Sequence, residues 1–108
     1  LLECARTMAT DDTGVFLRVH KGEDHIRDVP LEGNKMIIGR SLKVEITLES
    51  DGVSRKHAEL AKDSAGCWWV RDLYSANGTK VNREQTMEHK LEIGDVIEIE
   101  DFSLLFRL

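Results

Sequence analysis

Three groups of polar residues lie along the sequence at positions from which they could share one anion. The first is Gly39-Arg40, the second is residues 54–57, and the third is the stretch "SANGTKVN" at residues 75–82. The planar guanidinium of arginine matches phosphate oxygens, and a phosphorylated side chain offers three strong acceptors. Two arginines, a hydroxyl and an amide, without an evident base, nucleophile or metal, favour a bound tetrahedral dianion over a reaction.

Short segments that could form strands surround these polar groups, and turn residues recur about every ten positions. Many short strands at that spacing predict an all-β sandwich or barrel. A sandwich collects its loops at two ends, so loops that are distant in sequence can meet there. The predicted strands are VFLRVH (15–20), IRDVPL (26–31), KMIIG (35–39), VEITL (44–48), HAELA (57–61), CWWVRDL (67–73), KLEIGDVIEI (90–99) and FSLLFRL (102–108).

Length and composition limit the class of protein. The 108 residues suit a single domain, for which we expect a tail or linker at 1–14 and a folded unit at 15–108. The net charge of −5 argues against general nucleic-acid binding, which depends on many cationic phosphate contacts. No apolar run approaches the roughly 20 residues of a membrane helix, and no signal segment opens the chain. Two cysteines are too few for a disulfide framework, so we expect reduced thiols and an intracellular protein.

Several of the polar residues have more ordinary interpretations. Asn77-Gly78 is first of all a tight turn, although with Thr79 it also matches a glycosylation acceptor. We expect His57 to be a structural donor and acceptor rather than a base or ligand. A hydrolase built on Ser54 and His57 is disfavoured, because residues three apart on a strand face opposite sides and no nucleophile elbow is present. The cysteines and histidines lack metal-ligand spacing, and we predict no catalytic residue, metal or cofactor.

Taken together, the three groups resemble the signature of the forkhead-associated (FHA) domain. The matching residues are Gly39-Arg40, Ser54-Arg55-Lys56-His57 and Ser75-Ala76-Asn77-Gly78-Thr79, followed by Asn82. The resemblance runs over residues 15–108. It implies an eleven-stranded β-sandwich of two mostly antiparallel sheets, which binds phosphothreonine peptides through the loops at one end.

The resemblance also implies roles for the polar residues. Arg40 and Ser54 would contact the phosphate, Arg55 would be a second cation, and Asn77 would hold the peptide main chain after the phosphothreonine. Some members have a hydroxyl residue before the asparagine that reaches the phosphate, whereas here Ala76 offers only its backbone N–H. The loop before Ser54 has no cation, so we expect no strong preference for an acidic residue three positions after the phosphothreonine.

A second set of residues would support the site rather than contact the ligand. Gly39, His57 and Gly78 match structural positions of the family, and His57 would brace the Ser54 loop from beneath. Thr79 and Asn82 would stabilise turns.

The implied partner is a protein or peptide carrying a phosphothreonine made by a Ser/Thr kinase, and not a membrane or nucleic acid. In some members a phosphorylated tail folds back and occupies the site, and we hypothesise the same for the N-terminal segment here, which carries Thr7, Thr10 and Thr13. The alternative is that this segment is an ordinary polar linker. We expect a cytoplasmic location, or a nuclear one in a eukaryote. The alternative is an FHA-like sandwich that mediates protein–protein interaction without phosphate.

Overall fold

A computed structural model describes residues 14–108, and the predictions for the tail, including its threonines, lie outside this range. Eleven strands and no helix occur in the described part of the chain, which therefore holds no helix able to cross a membrane. The strands are β1 (Phe16–Lys21), β2 (Asp24–Pro30), β3 (Lys35–Gly39), β4 (Ile46–Thr47), β5 (Ala58–Lys62), β6 (Trp68–Asp72), β7 (Lys80–Val81), β8 (Glu84–Gln85), β9 (Glu88–Lys90), β10 (Val96–Ile99) and β11 (Phe102–Arg107).

The strands form two sheets, as the predicted sandwich requires. One sheet has the order β2-β1-β11-β10-β7-β8 and the other β4-β3-β5-β6-β9. Every pairing is antiparallel except that of β3 with β4. The only proline, Pro30, ends β2 at a sheet edge, where its missing N–H breaks no ladder. The predicted all-β sandwich is confirmed.

Alternating side chains of the two sheets enclose one hydrophobic core. In β1, Leu17 and Val19 are buried while their neighbours are half-buried, which is the period of two that places one face inward. Adjacent tryptophans behave in the same way: Trp68 is buried in the core, and Trp69 lies on the outer face with its indole N–H donating to Asp63. This core fixes the strands whose ends carry the polar loops.

Three sequence expectations differ from the structure. The stretch 90–99 is not one strand, because a turn with Gly94 at φ +100° separates β9 from β10. The strands β7 and β8, of two residues each, were not predicted. Cys67 is buried and disulfide-bonded, so the prediction of two reduced thiols is wrong. The only other cysteine of the chain, Cys4, lies outside the described residues.

Five connections gather at one end of the sandwich, which we call the loop end: β1–β2, β3–β4, β4–β5, β6–β7 and β10–β11. The β1–β2 turn meets the β10–β11 turn through Gly22 N–H and Asp101 O at 3.0 Å. Gly52, between β4 and β5, lies against the side chain of Glu100. The loop from β6 to β7 reaches Gly52 as well, through Asn77. The sequence motifs therefore converge at this end.

Candidate functional site

Arg40 enters the loop end directly after β3 and is fixed at its root. Its backbone N–H donates to Ser54 O at 3.0 Å, and its Nε donates to Val53 O at 2.9 Å. Within residues 14–108 neither terminal guanidinium nitrogen has a hydrogen-bond partner. The side chain is thus oriented by the protein while two of its nitrogens can still donate.

Gly39 allows this arrangement because two backbones pass close together. A Cβ atom at Gly39 would lie 1.9 Å from Arg55 O, far inside van der Waals contact. Ser41, two residues further, donates its N–H to the same carbonyl at 3.3 Å. The β3–β4 and β4–β5 loops are therefore joined directly, and only glycine fits at the crossing.

The hydroxyl of Ser54 links a third loop to the first two. Ser54 Oγ accepts the backbone N–H of Ala76 at 3.0 Å, and nothing in the described part of the chain accepts its own hydrogen. Ala76 therefore orients Ser54, and its N–H is not the spare donor that the sequence suggested. Arg55 and Lys56 follow Ser54, are exposed, and add two cations without ion-pair partners among residues 14–108.

His57 lies beneath these loops and is fully buried. Its Nδ1 accepts the N–H of Ser54 at 3.0 Å, so Nε2 carries the proton and donates to Gly78 O at 2.8 Å. The structural role predicted for His57 matches this geometry. Ser54 and His57 are not on a strand, as the argument against a hydrolase assumed, but both ring nitrogens are occupied by backbone groups.

The β6–β7 loop is shaped by Asp72 at the end of β6. One carboxylate oxygen accepts the hydroxyls of Ser75 and Thr79, and the other accepts Ser75 N–H at 3.0 Å. Burial opposes ionisation, but the hydrogen bonds from Ser75 and Thr79 outweigh it and hold the pKa of Asp72 below its ordinary value. Ser75 Oγ in turn accepts Gly78 N–H at 2.9 Å, which fixes the turn that follows.

Asn77 projects from this turn towards the β4–β5 loop. Its Nδ2 donates to Gly52 O at 2.8 Å, while its Oδ1 has no partner within residues 14–108. Gly78 has φ +87°, a conformation that glycine adopts at little cost. Arg40, Ser54, Arg55 and Asn77 thus surround one exposed region, and we call these four residues the donor cluster.

Not every predicted site residue belongs to this region. Asn82 lies in the β7–β8 turn. Its Oδ1 accepts Val96 N–H at 3.0 Å, and its Nδ2 donates to Asp95 Oδ1 at 2.9 Å. Since Val96 begins β10, away from the loop end, Asn82 stabilises the sheet and not the donor cluster. Thr79 is closer, because it shares Asp72 with Ser75.

Sequence reasoning gave no role to two groups that shape the site. The carbonyl of Val53 orients the Arg40 guanidinium, and the carboxylate of Asp72 organises the loop that carries Asn77. A buried valine within a polar loop and an aspartate three residues before a serine are the signals that could have indicated them.

Comparisons with known proteins agree with the fold. A family model described as FHA domain matches residues 36–100. The FHA domain-containing protein FhaA of Mycobacterium tuberculosis is 34% identical over 96 residues, which cover 89% of this chain and 18% of FhaA. The chain belongs to the FHA domain family. It spans less than a fifth of the length of FhaA.

Two solved structures extend the comparison. A structure from a study of phosphothreonine-dependent FHA domain interactions superposes with a TM-score of 0.79 at 34% identity, covering 89% of this chain and 97% of that one. EmbR of Mycobacterium tuberculosis, in complex with a low-affinity phosphopeptide, gives a TM-score of 0.80 at 33% identity. Here the match covers 94% of this chain and 26% of EmbR.

Proposed function

We propose that this domain is a non-catalytic module that binds phosphothreonine-containing segments of partner proteins. One observation carries the proposal: the groups left without partners around Arg40 and Ser54 are donors. Two guanidinium nitrogens and one hydroxyl hydrogen are available in the described structure. A phosphate dianion brings only acceptors and two negative charges, and therefore complements them.

Asn77 is suited to the peptide main chain beside the phosphate. Its Oδ1 can accept a backbone N–H, and its Nδ2 has a second hydrogen beyond the one given to Gly52 O. A single amide can thus contact the N–H and the C=O of one extended residue, which point to the same side of the peptide. Arg55 lies one residue after Ser54 and supplies a further cation for the phosphate or a neighbouring peptide group.

The same geometry supports a non-catalytic role for Ser54 and His57. A base must be able to take a proton from its nucleophile, but His57 already accepts the Ser54 N–H and donates to Gly78 O. Being fully buried, it cannot approach a ligand. Ser54 is therefore a hydrogen-bond donor to a ligand rather than an activated nucleophile.

The relatives support the same class of ligand. One similar domain was studied for phosphothreonine-dependent interactions, and EmbR was solved with a phosphopeptide. The partner we propose is a protein phosphorylated by a Ser/Thr kinase.

The test is calorimetric titration of a phosphothreonine peptide, selected from a randomised library, against wild type, Arg40→Ala and Arg107→Ala. Removing one side of a charged pair costs about 2–5 kcal/mol, which weakens binding by roughly thirty-fold to several thousand-fold. Arg107 is the matched control, because it is an exposed arginine at the end of β11 remote from the loop end. We expect Arg107→Ala to bind as wild type does.

Two results would overturn the proposal. One is wild-type affinity in a folded Arg40→Ala variant. The other is equal binding of the peptide with and without its phosphate, which would favour a sandwich that recognises partners independently of phosphorylation.

A further inference from the structure

A second surface feature lies beside the donor cluster, between the edge strands β2 and β4. It is a groove of about 440 Å³ that opens at the loop end. Its wall is apolar and its rim is charged. The wall consists of Ile26, Leu42 and Phe102, and the rim of Lys21, Arg27 and Glu49.

Leu42 is held in solvent by a hydrogen-bonded loop. Its side chain is 79% exposed. The preceding residue, Ser41, accepts Lys43 N–H on its hydroxyl at 3.0 Å and the Thr47 hydroxyl on its carbonyl at 3.0 Å. Two hydrogen bonds to Ser41 thus fix the backbone of the loop beside Leu42. Leu42 and the exposed Ile26 line the same groove, and adjoining exposed apolar side chains mark a contact surface where a single one would not.

The opposite wall and the rim suit an anionic segment with an apolar side chain. Ile26 is 45% exposed on β2. Arg27 crosses from one sheet to the other and donates to Thr47 O at 2.9 Å, and Lys21 Nζ lies 5.6 Å from the centre of the Phe102 ring. The charged residues that line the groove are two cations, Lys21 and Arg27, and one carboxylate, Glu49, although the whole chain carries −5.

We propose that the groove binds an apolar side chain of the same phosphorylated segment that contacts the donor cluster. This inference rests on the proposed function. The groove and the cluster share one loop, since Arg40 and Leu42 are two residues apart and Thr47 bonds that loop from the other side. A peptide crossing Arg40 can therefore place a neighbouring side chain between Ile26 and Leu42. The polar cluster supplies phosphate dependence, and the groove supplies an apolar anchor.

The test measures coupling between the groove and one peptide position. A phosphothreonine library, varied in turn at positions on either side of the phosphothreonine, is selected on wild type, Ile26→Ala, Leu42→Ala and Ile93→Ala. Ile93 is the matched control for Ile26, because it is also an isoleucine and is 42% exposed. It adjoins Gly94, whose N–H donates to Phe106 O near the other end of the sandwich.

We expect wild type and Ile93→Ala to select a large apolar residue at one position. Ile26→Ala and Leu42→Ala should lose that selection and bind the best peptide roughly tenfold more weakly. A peptide with alanine at that position should bind wild type and the three variants with equal affinity. This is the result that a double-mutant cycle gives when the two exchanged side chains are in direct contact.

The outcomes separate this inference from the proposed function. If phosphorylation has no effect on binding, the proposed function fails, and the groove inference fails with it. If binding depends on phosphate but Ile26→Ala and Leu42→Ala match Ile93→Ala, only the groove inference is overturned. It is equally overturned if the unliganded domain self-associates in sedimentation and Leu42→Ala abolishes the association, since the occupant would then be a second copy.

Discussion

Ser54 donates its backbone N–H to Nδ1 of His57 across 3.0 Å, with the imidazole fully buried beneath the loop. The other ring nitrogen donates to Gly78 O at 2.8 Å. One side chain thus joins the loop carrying the proposed phosphate contacts to the loop carrying Asn77. Substitution of this ring should affect stability and binding together.

For the variant His57→Phe we expect loss of both hydrogen bonds with most of the ring volume retained. Two half-buried backbone groups, Ser54 N–H and Gly78 O, would then lack protein partners, at up to about 1–3 kcal/mol each. Urea unfolding should show a decrease of up to about 2–6 kcal/mol in the free energy of unfolding. Phosphopeptide affinity should also fall under conditions where the variant is folded. An unchanged unfolding free energy would show that the ring is not a brace.

The carboxyl group of Asp72 should make the stability of the domain depend on pH. Its pKa is held below the ordinary value, because hydrogen bonds from Ser75 and Thr79 outweigh the effect of burial. A carboxyl whose pKa is lower in the folded state stabilises the fold above its unfolded pKa, near 4, and loses that contribution as the pH falls through the folded pKa. Wild type should therefore exceed Asp72→Asn in stability at neutral pH, by an amount that shrinks in acid.

Urea unfolding of both proteins between about pH 3 and about pH 7 measures this difference. Asp63→Asn is a suitable control, because Asp63 also has a lowered pKa but lies in the turn between β5 and β6. Only Asp72→Asn should also weaken phosphopeptide binding at neutral pH. A stability difference between wild type and Asp72→Asn that stays constant with pH would contradict the assigned role.

The N-terminal segment gives a prediction about how a phosphorylated tail could dock. Gly14 touches Leu108 at the end of the sandwich opposite the loop end, and the six residues of β1 span about 20 Å between the two ends. Thr10 lies four residues before Gly14, and an extended chain of that length spans at most about 14 Å. The backbone at Thr10 therefore ends short of the loop end of its own chain, which favours docking of its phosphate on a second copy.

Docking of phosphorylated Thr10 should accordingly join two copies of the chain. Sedimentation of protein phosphorylated at Thr10 alone should show concentration-dependent association that Arg40→Ala removes. An external phosphopeptide should compete with this association. If the phosphorylated protein stays monomeric and binds external phosphopeptide as the unmodified protein does, the tail does not dock.

The sequence was sufficient for the class of fold and for which loops matter. The segment KMIIG was predicted with the bounds that β3 has, because glycine follows a short apolar run. A strand of only two residues, such as Lys80–Val81, is too short to show alternation of apolar and polar residues. The strands β7 and β8 were not predicted for that reason. The joining of the loops through Gly39 and Arg55 O depends on tertiary contact, which spacing alone does not reveal.

Within the site, residue types were easier to predict than their partners. Arg40, Ser54 and Asn77 come together at the loop end as the motifs indicated. The sequence could not show that the Ala76 N–H is used by Ser54 Oγ, because this bond joins residues 22 positions apart. Nor could it show that Asn82 lies beside Asp95, away from the donor cluster.

The most direct test of the central claim is one peptide in phosphothreonine, phosphoserine and glutamate versions, titrated at fixed salt. Burial of the extra methyl contributes about 0.8 kcal/mol, or roughly fourfold in affinity. The β-branched side chain is also stiffer, and a site fixed by His57 and the Gly78 turn can select its favoured rotamer. We predict a preference for phosphothreonine clearly greater than fourfold and almost no binding of the glutamate version, whose single charge lies on a planar group. Equal affinity for phosphothreonine and phosphoserine would contradict the account, because the domain would then recognise charge alone.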